Sequence, residues 1–260
     1  MGKLQDRVAV ITGGTRGIGR GIAEAFLDEG AKVVVSGRST DKGQQALEEM
    51  KAGDSAHFIA CDVKSQEAVE RLIDGTVEHF GTVDILVNNA GGSDNFALVH
   101  ELTDEAWKNA LDWSLNSAFW ATRQALRHMV PQERGRVIFI SSVEGKQAQK
   151  PMVSHYITAK HALNGFAKAV AYEYGPTGIT SNAICPGAVE TDLMLDAGPG
   201  AAEAMGITYE EFLDGYAQES MIKRLNTVEE IAAVAVLLAS DAGGGITGAL
   251  LNVDGGTASW

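Results

Sequence analysis

Val8 to Gly19 reads VAVITGGTRGIG, and this stretch decides the fold. Val8 to Thr12 is apolar or β-branched throughout, as in a strand buried on both faces. The turn Thr12-Gly13-Gly14-Thr15-Arg16-Gly17-Ile18-Gly19 follows, and a helical pattern then runs from Ile18 to Glu29 and stops at Gly30. Glycines at such a seam let a backbone approach a pyrophosphate. The helix N-terminus adds unpaired N–H groups and a partial positive charge. The spacing is T-G-x-x-x-G-x-G rather than the common G-x-G-x-x-G. Alone, these glycines make a tight turn; after the first strand of an alternating chain they point to a nucleotide.

The alternation continues outward from that stretch. Further strands are expected at Lys32 to Gly37, His57 to Asp62, Asp84 to Gly91, Val137 to Ser141, Thr180 to Cys185 and Ala249 to Val253. Helices are expected at Asp41 to Lys51, Ser65 to Phe80, Thr103 to His128, Ser154 to Tyr174 and Thr227 to Ala239. This order means an α/β chain with a doubly wound parallel sheet of Rossmann type. Residues 1–260 read as one domain, with a small substrate lid over about 192–221. In the lid, Gly198-Pro199-Gly200 suggests a hinge in irregular chain, and Thr208-Tyr209-Glu210-Glu211 a capping box.

A net charge of -13 speaks against nucleic acid or an anionic membrane surface as partner. Cys61 and Cys185 make no disulfide or metal spacing, so no metal site is expected and both read as small buried hydrophobes. No apolar run is long enough to span a bilayer, and the expected location is cytoplasmic.

The chemistry lies in Val137 to Lys160, VIFISSVEGKQAQKPMVSHYITAK. The strand delivers Ser141 and Ser142 to its end. Tyr156 and Lys160 are four residues apart, on one face of a helix. A free phenol has a pKa of about 10, and a neighbouring ammonium is expected to lower it.

With the glycine turn, Asn88-Asn89-Ala90-Gly91, Asn116, Ser142, Tyr156 and Lys160, the chain resembles the short-chain dehydrogenase/reductase family. Pro186-Gly187-Ala188-Val189-Glu190-Thr191 is similar to that family's Pro-Gly-x-Val-x-Thr segment, and Asp62-Val63 to its adenine-contacting pair. The resemblance runs from the first strand to the last. It implies Tyr156 as general acid and base, Lys160 as the group that tunes it and bonds the nicotinamide ribose, and Ser142 as the holder of the carbonyl oxygen. Ser142 is preferred to Ser141 because Val-x-Gly follows it. Asn116 would hold a water linking Lys160 to solvent. Gly13, Thr15, Arg16, Gly17, Ile18 and Gly19 would bind the cofactor with Arg38, Asp62, Val63, Asn89, Ala90 and Gly91. Pro186 and Gly187 would also bind the cofactor, and Thr191 with the Val189 backbone would fix its carboxamide.

NAD enzymes usually carry an acidic residue at the end of the second strand. Ser36-Gly37-Arg38 stands there instead, and Arg16 can reach the same place, so NADP(H) is favoured over NAD(H). Met194, Leu195, Met205, Ile207, Phe212, Tyr216 and Met221 make an apolar lid over a hydrophobic small molecule, or else ordinary core. Members that oxidise 3-hydroxybutyrate hold its carboxylate with a His after the serine and a Lys before the tyrosine; Glu144 and Val153 stand there. Reduction of a 3-oxoacyl thioester is the alternative, with Arg134 and Arg136 available to an acidic carrier. A non-catalytic dinucleotide-binding regulator is the alternative of another class. The resemblance also implies a homo-oligomer, dimer or tetramer, with Ile246 to Val253 and Trp260 as candidates for its interface.

Replacing Gly37 by Asp and Arg38 by Ala together is expected to shift the NADP(H)/NAD(H) ratio of kcat/KM by roughly tenfold or more toward NAD(H). An unchanged ratio contradicts the assignment.

Overall fold

Each apolar run becomes a strand of one parallel sheet. In chain order these are β1 (Val8–Ile11), β2 (Lys32–Gly37), β3 (Ala56–Ala60), β4 (Ile85–Asn88), β5 (Gly135–Ile140), β6 (Ile179–Pro186) and β7 (Leu250–Val253). In space the order is β3-β2-β1-β4-β5-β6-β7. The helices are α1 (Gly17–Asp28), α2 (Thr40–Met50), α3 (Gln66–Phe80), α4 (Asp104–Leu111), α5 (Ser117–Met129), α6 (Ser154–Tyr174), α7 (Asp192–Met205), α8 (Tyr209–Glu219) and α9 (Val228–Ala239). The computed structural model describes residues 2–258, apart from the side chains of Leu193, Ala197 and Ala204. Trp260 lies outside the described residues.

Successive strand side chains point to opposite faces, and both faces are covered. Val33, Val35, Ile85, Val87, Ile138 and Ile140 share one core with Ile22 and Phe26 of α1 and Ile231 and Leu238 of α9. Val10, Val34, Leu86, Val137 and Phe139 share the other with Leu72 of α3, Ala121 and Met129 of α5, and Leu163 of α6. Cys61 and Cys185 are buried and unpaired. The strand order reverses between β1 and β4, where Ile11 lies beside Val87, Val87 beside Ile138 and Ile140 beside Ile184. The carboxyl ends of the central strands therefore come level, at the crevice where such sheets bind ligands.

Ser39, Ser65, Thr103, Thr191, Thr208 and Thr227 cap the helices that follow them. The Thr208–Glu211 capping box forms as the sequence suggests, and Thr227 and Glu230 make a second.

Two segments depart from expectation. The stretch from Thr103 to His128 is interrupted: a π-helical turn, Asp112–Asn116, joins α4 to α5. The extra residue of such a turn leaves no mark in the hydrophobic period. The chain after Thr191 is helical rather than irregular, and Pro199 lies inside α7 instead of at a hinge. The Tyr209 ring of α8 lies against Gly198 there, and its hydroxyl donates to the Met194 carbonyl at 3.2 Å.

At the opposite, amino edge of the sheet, Asp84 is 2% exposed. It accepts the Val8 N–H at 2.9 Å and pairs with Arg134. Asp84→Ala leaves a strand N–H without its acceptor and is expected to cost about 2 kcal/mol, read as a lower urea midpoint at unchanged slope. A loss under about 0.5 kcal/mol contradicts that role.

Candidate active site

The glycine turn after β1 is clasped to the end of β4. Thr12 Oγ1 accepts the Asn89 and Ala90 N–H groups, both at 3.0 Å. Asn89 Nδ2 donates to the Thr12 and Gly13 carbonyls at 2.9 and 3.0 Å. A Cβ on Gly19 would overlap the Asn89 amide and the Gly13 carbonyl oxygen, so the first turn of α1 can lie this close only with glycine there. The α1 N-terminus holds an anionic oxygen: the Gly17 N–H donates to the Asp192 carboxylate at 3.2 Å. Arg16 lies 4.0 Å from the Asp196 carboxylate. A phosphate asks for the same N–H and the same cation.

The other residues expected at a dinucleotide lie along the same edge. Thr15 rests against Gly37 at the end of β2, where Arg38 is exposed and no carboxylate stands. Ile18 packs against the core under the turn. After β3, Asp62 is exposed and accepts the Lys64 N–H at 3.1 Å, while Val63 is buried. After β6, Pro186 is followed by Gly187, whose N–H donates to Val253 at 3.2 Å. Val189 is buried, between bonds that tie Ala188 and Glu190 to Asn226. Thr191 caps α7, accepting the Met194 N–H at 3.4 Å. With the Asp192 and Asp196 carboxylates already drawn to the Gly17 N–H and Arg16, these residues form a cradle that fits a phosphate-bearing dinucleotide. Among the described residues no cluster of His, Cys, Asp or Glu could hold a metal ion.

Ser142, Tyr156 and Lys160 meet at the end of β5. Ser142 Oγ accepts the Glu144 N–H at 3.1 Å and opens the short turn Val143–Gly145. Ser141 is turned inward, its Oγ donating to the Lys160 carbonyl at 3.4 Å. Tyr156, in the first turn of α6, is half-buried. Lys160, one turn on, is 4% exposed, and its Nζ donates to the Ile140 carbonyl at 2.7 Å. The same Nζ lies 5.6 Å from the Tyr156 ring centroid. A Cβ on Gly91 would come within 3.4 Å of it.

Burial lowers the Lys160 pKa to about 8. The Tyr156 pKa is raised, first by burial, with Glu144 adding to the rise and the Ser142 hydroxyl opposing it. Ser142 Oγ accepts the Glu144 N–H and keeps its own O–H to donate. The expected lowering of the phenol pKa by Lys160 is therefore corrected for this state of the protein. The ammonium sits over the ring and is bonded to a backbone carbonyl, and desolvation of the phenol wins.

Asn116 closes the π-helical turn, its Nδ2 donating to the Asp112 carboxylate at 2.6 Å and leaving Oδ1 out of that bond. Asp112 was not foreseen. Nor was Ser114, whose Oγ accepts the Gly92 N–H at 3.1 Å and donates to the Gly92 carbonyl at 3.3 Å, holding Gly91 over Lys160. Asn164 was missed although spacing could have found it: it lies one turn beyond Lys160 on the Tyr156 face. Its Nδ2 donates to the Gly145 carbonyl at 2.8 Å and so steadies the turn that carries Ser142.

Residues 13–258 match the family described as enoyl-(acyl carrier protein) reductase. A 3beta-hydroxysteroid dehydrogenase of Mediterraneibacter gnavus is 35% identical over 98% of this chain and 96% of its own. The 3-oxoacyl-(acyl-carrier-protein) reductase FabG of Aquifex aeolicus is 35% identical over 98% of each. A crystal structure of a variant actinorhodin polyketide ketoreductase with NADPH superposes with a TM-score of 0.93 at 35% identity, covering 100% of both chains. From the glycine turn to the last strand, the chain belongs to the short-chain dehydrogenase/reductase family of oxidoreductases.

Proposed function

We propose that the protein is an NADP(H)-dependent oxidoreductase acting on a ketone or secondary alcohol of a hydrophobic, largely uncharged small molecule. The observation that carries this reading is the meeting of a serine hydroxyl, a phenol and a buried ammonium at one strand end, across the crevice from the glycine turn. When bound, the cofactor supplies or accepts the hydride. The turn from Gly13 to Gly19 would hold its pyrophosphate, with Asp62 and Val63 at the adenine and Asn89 to Gly91 beneath the ribose. Pro186 and Gly187 would also bind the cofactor, and Thr191 with the Val189 backbone would hold the carboxamide. NADP(H) is supported by Gly37, Arg38 and Arg16, and by the NADPH in the ketoreductase structure.

Ser142 would hold the substrate carbonyl oxygen and Tyr156 would donate its proton to it. A phenol kept protonated by its surroundings suits that direction. Lys160 would hold the ribose, and Asn116 a water through which the proton is replaced. The segment 192–221 is read as a lid, because Leu195, Met205 and Met221 are 52%, 66% and 71% exposed rather than core. Lys150 pairs with Glu219 and joins α8 to the loop before Tyr156. Between α5 and α6 a hollow of about 550 Å³ is lined by Phe119, Leu126, Val130, Phe166 and Tyr174, which supports association into a dimer or tetramer. No described helix is long and apolar enough to cross a membrane; a cytoplasmic place is proposed.

Reduction of a 3-oxoacyl thioester is the second reading, favoured by the likeness to the Aquifex reductase. Arg134 and Arg136 do not serve it as docking residues for the cleft. They lie at the amino end of β5, where Arg134 pairs with Asp84. A regulator without catalysis is separated from both by NADPH oxidation with a panel of simple ketones.

Tyr156→Phe is expected to lower kcat by about 10²–10⁴-fold with NADPH affinity kept; substantial residual turnover contradicts Tyr156 as the acid. Lys160 gives a pH test. Between its folded pKa of about 8 and the ordinary 10.5, the unfolded chain holds a proton that the folded chain has lost. Stability from this group therefore rises with pH across that window. Relative to Lys160→Met, wild type should gain about 2–3 kcal/mol from about pH 7.5 to about pH 10 in denaturant titrations. A flat difference contradicts the lowered pKa.

A further inference from the structure

Glu144 is a buried carboxylate with no part in the steps above. It sits two residues after Ser142, in the turn Val143–Gly145, and is 6% exposed. A carboxylate in such a place needs donors for both oxygens. Oε2 accepts the Gln149 N–H at 3.2 Å. Among the described residues no Lys, Arg or His pairs with it. The nearby lysines are engaged elsewhere: Lys146 with Asn252 Oδ1 at 2.7 Å, Lys150 with Glu219, and Lys160 with the Ile140 carbonyl at 2.7 Å. Oε1 takes no hydrogen bond from the described residues, yet it is not sealed from solvent. Its own N–H donates to Ser142 Oγ at 3.1 Å, which fixes the residue beside the serine, and its charge adds to the rise in the Tyr156 pKa. An acceptor with one open side thus stands beside the hydroxyls proposed to handle the carbonyl oxygen.

We propose that Glu144 selects the substrate. Its carboxylate accepts a hydrogen bond from a hydroxyl or N–H group carried one or two carbons from the reacting carbonyl, on an otherwise neutral and apolar molecule. It turns away substrates with an anion at that place, because two carboxylates side by side in a partly desolvated cleft repel each other. The proposal rests on the oxidoreductase reading of the cleft. A hydrogen bond to a charged acceptor changes binding by about ten- to a hundredfold, enough to choose between ketones of equal size.

The test is binding of ketone pairs to the full chain loaded with NADP+, a complex that cannot reduce them. The pairs are phenacyl alcohol and its methyl ether, β-hydroxypropiophenone and its methyl ether, and phenylglyoxylate and its methyl ester. In wild type one of the two alcohols should bind at least about tenfold tighter than its ether, and phenylglyoxylate should bind more weakly than its ester. Glu144→Gln keeps an acceptor for the Gln149 N–H and so keeps the turn. It should shrink the alcohol preference below about threefold and remove the bias against the anion. No preference in wild type, or the same preference in the variant, overturns the proposal. So does a loss of NADP+ affinity as large as the loss of ketone affinity, since that marks a merely structural role. NADPH oxidation is followed in parallel: absence of turnover with every ketone counts against the oxidoreductase reading, while the binding pattern still decides the role of Glu144.

Discussion

The bond from the Lys160 ammonium to the Ile140 carbonyl, 2.7 Å long, joins the helix that carries the phenol to the strand that carries the serine. A buried cation is costly unless its donors find acceptors, so this contact governs what surrounds it. Gly91 lies above the ammonium, where an added Cβ would crowd Ser114 Oγ, and Ser114 holds the neighbouring Gly92 in place. Ser141 bonds the Lys160 carbonyl from the same strand end, and Asn164 fixes the turn behind Ser142. The parallel sheet makes the arrangement possible by bringing the ends of β1, β4, β5 and β6 level.

Charge is distributed to the same end. The chain carries -13 overall, yet the edge that would meet an anionic dinucleotide gathers Arg16, Arg38, the α1 N-terminus and Lys160. The Asp192 carboxylate on the Gly17 N–H displays the affinity of that terminus for negative oxygen. On the substrate side the sign reverses. Glu144 stands beside Ser142, and beyond Asp192 and Asp196, which face the α1 N-terminus and Arg16, the helices α7 and α8 carry Glu203, Glu210, Glu211, Asp214 and Glu219.

Much of this was legible in the residues. Strands buried on both faces announce themselves as unbroken apolar runs, so Lys32–Gly37 has the bounds the pattern suggests, and the helix Ser154–Tyr174 has those its own pattern suggests. What stayed hidden depends on contacts between distant segments. The π-helical turn at Asp112–Asn116 does not disturb the hydrophobic period, so Ser114 and Asp112 gave no signal. The helix continues through Pro199 beside the Tyr209 ring of the next helix, a contact no local propensity encodes. The rise in the Tyr156 pKa was misjudged because spacing shows that Lys160 is near but not where its ammonium points.

Burial of the Tyr156 phenol favours its acid form, while the Lys160 ammonium is engaged with the Ile140 carbonyl. Carbon-13 NMR of ring-labelled tyrosine, with Tyr156→Phe for assignment, reads this directly in the cofactor-free protein. The expected result is a Tyr156 signal that stays in the phenol form beyond the ordinary titration point of about 10. A phenolate formed below about pH 8 in that protein would contradict it, since the ammonium would then be acting on the phenol oxygen itself.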